Sequence, residues 1–158
     1  MNDAEWTCYN MALGDTVKEV EMSISGRVTS SSLLPMTDVH INAVPPSTTV
    51  SKEIIRVSTL DSIFDNIIQT NERIYLKIDV QGFEIFVLKG ASTILGQVQA
   101  LELELSLAPL YEGGILFVDM IEYMESMGFM AVSFSPVLID PHTDQLLQMD
   151  GIFKRKKR

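Results

Sequence analysis

Three carboxylic acids stand where predicted secondary-structure elements begin or end. Asp79 lies near the end of an alternating segment, residues 74–80, Glu84 follows five residues later, and Glu104 closes a second alternating segment. A carboxylate beside a substrate can act as a general base, and a group of carboxylates can instead bind a hard cation. The competing interpretation is structural, because Asp79 can cap a helix and the three acids can form a polar network.

The segment around Asp79 predicts a strand, a tight turn and a helix. Apolar residues alternate with Tyr75, Lys77 and Asp79 up to Val80, and Gly82 ends that pattern. Apolar residues then follow at helical spacing from position 83. In such units ligands lie off the carboxyl ends of the strands, where Asp79 stands. Lys77 shares a strand face with Asp79, so it either keeps that carboxylate ionised or neutralises it structurally.

The second acidic segment predicts a neighbouring strand. Leu101, Leu103 and Leu105 fall on one side of residues 100–105, and Glu102 and Glu104 fall on the other. If this strand lies beside the first, Asp79 and Glu104 converge over one cleft. Glu84, one helical turn further on, can join them.

The rest of the chain predicts alternating strands and helices around a long loop. Residues 26–46 are rich in Ser, Pro, Thr and Asn, so we expect a loop there. Only residues 136–145 join the last two strands, which favours an antiparallel pair because a parallel crossover needs about a dozen residues or more. The remaining predicted strands are 5–12, 17–24, 52–57, 130–135 and 146–154, and the remaining predicted helices begin at 58 or 59 and at 117.

Several motifs, in order along nearly the whole chain, resemble the FkbM family of S-adenosylmethionine-dependent methyltransferases. The most distinctive is Lys-Ile-Asp-Val-Gln-Gly-Phe-Glu at 77–84, followed by Val-Leu-Lys-Gly-Ala at 87–91. Asn-Met-Ala-Leu-Gly-Asp at 10–15, Val-Ser-Thr-Leu-Asp at 57–61 and Leu-Glu-Leu-Ser at 103–106 also fit. The resemblance implies an α/β fold with a partial Rossmann-like class I methyltransferase sheet, mostly parallel and ending in an antiparallel C-terminal hairpin.

The resemblance also implies a reaction and a set of site residues. The implied cofactor is S-adenosylmethionine, and the implied reaction is O-methylation of a small-molecule or sugar hydroxyl. Such a transfer needs the acceptor oxygen aligned with the methyl carbon and a base for its proton. The expected catalytic residues are Asp79, Glu104 and Glu84. The expected substrate-binding residues are Lys77 and Tyr111, and the expected cofactor-binding residues are Leu13, Gly14 and Asp15, with Asp15 equally compatible with a plain turn.

One part of the family pattern does not occur in this sequence. No two glycines stand two positions apart, so the Gly-rich cofactor turn of Rossmann-type enzymes is missing. The sequence therefore resembles the C-terminal two-thirds of the enzyme, and a truncated domain is expected. A split enzyme completed by another chain, and a non-catalytic binding or interaction module, are the alternatives. An exposed sheet edge beside Asp79 would suit a homo-oligomer or a complementing chain.

Composition limits the remaining possibilities. Five of the 12 basic residues lie at 154–158, which leaves 7 basic against 21 acidic residues elsewhere, a poor surface for nucleic acid. We expect one domain over residues 1–153 and a solvated basic tail over 154–158. No apolar run approaches the roughly 20 residues that span a bilayer. Cys8 is the single cysteine, and His40 and His142 are far apart, so we expect a cytoplasmic protein without a metal site.

Overall fold

The computed structural model describes residues 7–64 and 73–157 of the chain. Strands and short helices alternate along this part of the protein. The strands are β1 Ala12–Leu13, β2 Lys18–Ser25, β3 Thr49–Ser58, β4 Ile74–Ile78, β5 Val98–Ser106, β6 Phe129–Ile139 and β7 Leu146–Arg155. The helices are α1 Asp38–Ala43, α2 Leu60–Ile63, α3 Glu84–Lys89 and α4 Phe117–Ser126. No helix in these described ranges is long and apolar enough to cross a membrane.

The strands form two mixed sheets instead of the expected mostly parallel one. One sheet has the order β1-β3-β2 and the other the order β4-β5-β7-β6. Only β1 with β3 and β4 with β5 pair in parallel, and the other three pairings are antiparallel. The predicted fold class was therefore wrong. The prediction rested on the resemblance, whose motifs identify single strands and turns. Which strands pair, and in which direction, depends on contacts between distant segments that such motifs do not specify.

The short link between the last two strands joins an antiparallel pair, as predicted. β6 and β7 pair antiparallel, and β7 also pairs antiparallel with β5, so it lies inside the sheet. β7 continues to Arg155, whose guanidinium donates to the carbonyl oxygens of Val98 and Leu95. The first basic residues of the segment 154–158 thus belong to the sheet.

The main hydrophobic core lies between the four-stranded sheet and helices α3 and α4. Leu101 and Leu103 of β5 are fully buried, as predicted from their alternation with the two glutamates. Leu88 of α3 and Met124 of α4 pack into the same core. Burying each such side chain contributes roughly 1.5–3 kcal/mol, which fixes α3 and the turn that precedes it against the sheet.

The β1–β3–β2 sheet is joined to the other sheet by close backbone contacts. Gly14 itself stays tied to the first sheet, because its amide donates to the carbonyl of Ser58 of β3 at 2.9 Å. A Cβ at Gly90, just after α3, would overlap the carbonyl oxygen of Gly14. The Ser32 hydroxyl donates to the carbonyl oxygen of Gln81 at 2.7 Å. These contacts hold β1 and the segment after β2 against the turn that follows β4.

The predicted helix that begins at 58 or 59 is capped by Thr59, one of the two expected caps. Its hydroxyl oxygen accepts from the amide of Ser62 at 3.1 Å. Positions 67 and 68, which continue the apolar helical spacing of this predicted helix, lie outside the described residues.

Two other local predictions differ from the structure. Of the expected strand at 5–12, positions 5 and 6 lie outside the described residues, and among the others Ala12 alone belongs to β1. The expected long loop at 26–46 contains helix α1, which was missed.

Helix α1 is attached to the loop after β5. The amide of Thr37 donates to the carbonyl of Leu110 at 3.0 Å, and the Thr37 hydroxyl donates to the carbonyl of Pro109 at 2.6 Å. This attachment buries His40 and Ala43 of α1. It also brings the His40 ring to 5.1 Å from the ring of Tyr111.

Candidate active site

The turn between β4 and α3 carries the centre of the site. Gln81 and Gly82 both have positive φ, at 55° and 90°, which turns the chain sharply from strand to helix. A Cβ at Gly82 would lie 2.8 Å from the Cβ of Tyr111, so glycine is required there by both conformation and space. The tight turn predicted at Gly82 is confirmed, and it places Asp79 and Glu84 on either side of it.

Glu84 supports this turn from within. Its side chain is 3% exposed, and Oε1 accepts from the backbone amides of Val80 at 3.1 Å and Gly82 at 3.2 Å. A carboxylate bound to two amides of its own turn is held away from the surface. Glu84 therefore fixes the conformation of the turn that presents Asp79.

Gln81 joins the two other predicted acids. Its amide nitrogen donates to Asp79 Oδ1 at 3.1 Å and to Glu104 Oε2 at 2.7 Å. Gln148 of β7 donates to the same Glu104 oxygen at 2.9 Å. Asp79 and Glu104 thus converge as expected, bridged by one amide. Their roles in any reaction remain a prediction.

A polar cavity of about 290 Å³ opens above this pair of acids. We call it the polar cavity. Its polar lining is Arg27, Thr29, Ser30, His40, Asp79, Gln81, Glu104 and Gln148. Its size is at the lower end of the range that is usual for small-molecule sites, roughly 300–1,000 Å³.

A second, mainly apolar groove of about 550 Å³ lies on the other side of Asp79. We call it the apolar groove. Leu13 of β1 and Met22 of β2 line it, together with Phe83 from the turn after β4. Hydroxyl groups of Thr29, Ser31 and Ser32 also reach it.

Asp79 and Gln81 line both spaces. The polar cavity and the apolar groove therefore meet at the turn after β4. The Asp79 side chain is 42% exposed, so it is accessible where the two spaces meet. A ligand in one space and a ligand in the other would approach each other beside this carboxylate.

A family model described as the methyltransferase FkbM domain matches residues 2–130, most of the chain. The chain belongs to the FkbM methyltransferase family. A search of curated proteins and a search of solved structures each found no match. The family predicted from the motifs is thus confirmed, and Asp79, Gln81 and Glu104 lie within the matched residues.

Burial governs the ionisation of two acids in this FkbM domain. Burial raises the pKa of Glu104 to about 8, and the negative charges of Asp79, Glu84 and Asp150 act in the same direction, while the Gln148 hydrogen bond opposes them. Burial also raises the pKa of Glu84 to about 7, against the amide hydrogen bonds that favour its charged form. Glu104 therefore holds its proton at neutral pH and releases it in mildly basic solution.

The two predicted substrate-binding residues lie outside both spaces. Tyr111 is 3% exposed, and its hydroxyl lies 2.8 Å from Gln81 Oε1 and 3.1 Å from the Ser30 carbonyl oxygen. It therefore orients the Gln81 amide, with the amide oxygen towards the phenol and the amide nitrogen towards the acids. Burial, and next the charge of Glu104, raises the pKa of the Tyr111 hydroxyl.

Lys77 lies on the exposed face of β4. Its ammonium is 2.8 Å from Glu102 Oε1 and 3.7 Å from Asp79 Oδ2. The hydrogen bond to Glu102 raises the pKa of Lys77, so the ammonium stays charged beside Asp79. Lys77 therefore pairs more closely with Glu102 than with Asp79. A role in substrate binding stays a prediction for Lys77 and Tyr111.

The three predicted cofactor residues have different positions. Leu13 lines the apolar groove. Gly14 is packed, since a Cβ there would lie 2.8 Å from Val57 Cγ1 and 3.0 Å from Phe83 Cε1. Asp15 pairs with Lys18 at 3.3 Å and does not line the groove, which fits its alternative interpretation as a turn residue. A role in cofactor binding stays a prediction for these residues.

Six polar residues of the cavity were not identified from the sequence: Arg27, Thr29, Ser30, His40, Gln81 and Gln148. Gln81 stands inside the most distinctive motif, and its position between a strand end and a glycine was a usable signal. Gln148 looked like an ordinary strand residue of β7. His40 had no pattern around it, because α1 has only six residues. In the described ranges, no group of three or more His, Cys, Asp or Glu is arranged to hold a metal ion.

Proposed function

We propose that this FkbM domain transfers the methyl group of S-adenosylmethionine to a hydroxyl group of a small molecule. The observation that carries the proposal is the position of Asp79, which lines both the apolar groove and the polar cavity. Methyl transfer needs a donor and an acceptor that meet at one point with a proton acceptor beside them. The turn after β4 provides such a point.

The apolar groove has residues suited to the adenosyl and sulfonium parts of the cofactor. Leu13, Met22 and Phe83 offer apolar surface to the adenine. The hydroxyls of Thr29 and Ser31 can donate to the ribose, whereas that of Ser32 already donates to the Gln81 carbonyl. The carboxylate of Asp79 suits a neighbouring sulfonium cation. No lysine or arginine lines the groove, so its described lining has no side-chain cation for the cofactor carboxylate.

The polar cavity holds the acceptor in this proposal. When bound, the cofactor supplies the methyl group, and its sulfur keeps the electron pair of the broken bond. The acceptor oxygen forms the new bond to carbon and gives up its proton to Asp79. Gln81 keeps the Asp79 carboxylate oriented through the 3.1 Å hydrogen bond to Oδ1. Glu104, which holds a proton at neutral pH, can donate a hydrogen bond to a second oxygen of the acceptor.

One sequence feature supports a different function. The chain has no G-x-G turn, which is the usual phosphate and ribose platform of Rossmann-type cofactor sites. A non-catalytic FkbM module that kept the polar cavity, or a split enzyme whose donor site is completed by another chain, would have this feature. Both alternatives predict that this chain alone does not bind S-adenosylmethionine.

Calorimetric titration with S-adenosylmethionine tests the proposal. We expect binding by the wild-type chain and its loss in Leu13→Trp, whose indole would fill the apolar groove. Val17→Trp is the matched control, because Val17 is 60% exposed and lies outside the groove. Thermal unfolding of each variant checks that the fold is kept. Absence of binding by the folded wild-type chain would contradict the proposal and favour the alternatives.

A further inference from the structure

His40 is a buried polar side chain that the proposed reaction does not yet use. It belongs to α1, is 2% exposed, and its ring lines the polar cavity. Its Nδ1 atom has no hydrogen-bond partner among the described residues. A buried polar atom without a partner costs roughly 1–3 kcal/mol, so an imidazole that lines a cavity and lacks such a partner points to a ligand.

Tyr111, Gln81 and Gln148, which contact His40 or line the same cavity, already form hydrogen bonds to other groups. The Tyr111 hydroxyl is hydrogen-bonded to Gln81 and to the Ser30 carbonyl. The Tyr111 ring packs edge to face against the imidazole, with 5.1 Å between the ring centroids. The amides of Gln81 and Gln148 both donate to Glu104. The partner that His40 lacks is therefore to be sought in the ligand of the cavity.

We propose that a hydroxyl group of the acceptor donates to the imidazole of His40, which makes His40 an acceptor-binding residue of this FkbM domain. The inference rests on the proposed function, because it assigns the polar cavity to the acceptor. It also specifies the chemical class of the acceptor. Arg27 and Asp79 give the cavity lining one cation and one acid, and Glu104 holds its proton near pH 7, so neither sign of charge prevails there. A neutral polyhydroxylated compound can pair with carboxyl, guanidinium, amide and imidazole groups alike.

The ionisation of His40 agrees with this role. Burial lowers the pKa of the imidazole, and the positive charge of Arg27 lowers it further. The ring is therefore neutral near pH 7, and one of its nitrogens has a lone pair that can accept a hydrogen bond.

Nuclear magnetic resonance of the two histidines tests the inference without a known acceptor. The chain contains only His40 and His142, so imidazole spectra of the full chain contain two sets of signals. His142 lies in the exposed link between β6 and β7, and His142→Gln assigns the spectrum. Glycerol is the probe, because it is a small neutral polyol.

We expect glycerol to shift the His40 ring signals saturably, with one ring nitrogen moving as it gains a donor, and to leave His142 unchanged. Val137→Trp, which places an indole in the polar cavity, should abolish this response. Val132→Trp is the matched control, since Val132 is similarly exposed on the same strand but does not line the cavity. Unchanged His40 signals, or equal shifts of both histidines that increase linearly with glycerol concentration, would overturn the inference.

The two proposals fail in different ways. If S-adenosylmethionine binds but His40 does not respond to glycerol, the assignment of His40 is wrong, and the assignment of the apolar groove to the cofactor is retained. If His40 responds but S-adenosylmethionine does not bind, the polyol site stands and the proposed methyl transfer by this chain does not.

Discussion

The amide nitrogen of Gln81 lies 2.7 Å from Oε2 of Glu104, so a residue of the β4–α3 turn reaches the neighbouring strand β5. The same nitrogen lies 3.1 Å from Asp79 Oδ1, and the amide oxygen lies 2.8 Å from the Tyr111 hydroxyl. One side chain thus separates two acids and is itself held by a buried phenol. Gln81 in this arrangement supplies both carboxyl groups with a hydrogen-bond donor.

Gln81→Glu should destabilise the protein, because it replaces a shared donor by a third acid. The loss should be about 2 kcal/mol or more at pH 9, above the raised pKa of Glu104, and smaller at pH 5, where Glu104 holds its proton and can donate it to the new carboxylate. Urea unfolding at the two pH values measures it. Gln145→Glu, at an exposed position between β6 and β7, should change stability little, and equal effects of the two substitutions would refute this account.

Gly82→Ala should lower the free energy of unfolding more than Gly113→Ala does, although both glycines have positive φ. A Cβ at Gly82 would meet the Tyr111 side chain at 2.8 Å, whereas a Cβ at Gly113 has nothing within 4 Å. Backbone strain alone costs about 1–2 kcal/mol at each site. The overlap at Gly82 should add about 1–3 kcal/mol. Denaturant unfolding of both variants measures the difference, and similar losses would show that the contact with Tyr111 is unimportant.

Stability should fall as the pH rises from about 5 to about 8.5. The folded-state pKa of Glu104 is raised from 4.5 to about 8 and that of Glu84 to about 7, so the folded state binds more protons than the unfolded state over this range. Unfolding free energy therefore decreases with pH there, by at most about 1.4 kcal/mol per pH unit for each group.

Glu104→Gln tests that pH dependence. Glutamine keeps an oxygen for the Gln81 and Gln148 amides but cannot ionise. Its melting temperature should fall less between pH 5.5 and 8.5 than that of the wild type. The exposed Glu19→Gln on β2 should retain the wild-type slope. A wild-type melting temperature that rises over this range would contradict the burial of a protonated Glu104.

The sequence predicted the local unit of the site better than its surroundings. The alternation up to Asp79 and the break at Gly82 correctly gave β4, the turn and α3, because those signals are local. The pairing of β7 between β5 and β6 was not predictable in this way, since strand order depends on contacts between distant segments. His40 was missed for a related reason: α1 is too short to show a helical period, and only its packing near Tyr111 gives the histidine a position at the cavity.

The most direct test of the central claim compares two cofactor forms that differ by one positive charge. S-adenosylmethionine carries a sulfonium and S-adenosylhomocysteine a neutral thioether. If the two spaces meet at Asp79 as proposed, Asp79→Asn should weaken the binding of S-adenosylmethionine roughly fivefold more than the binding of S-adenosylhomocysteine. The reason is that a charge pair near 4 Å in water contributes about 1 kcal/mol. Asp38→Asn, an exposed acid on α1, is the control. Calorimetry that shows equal changes for both forms in Asp79→Asn would contradict the claim.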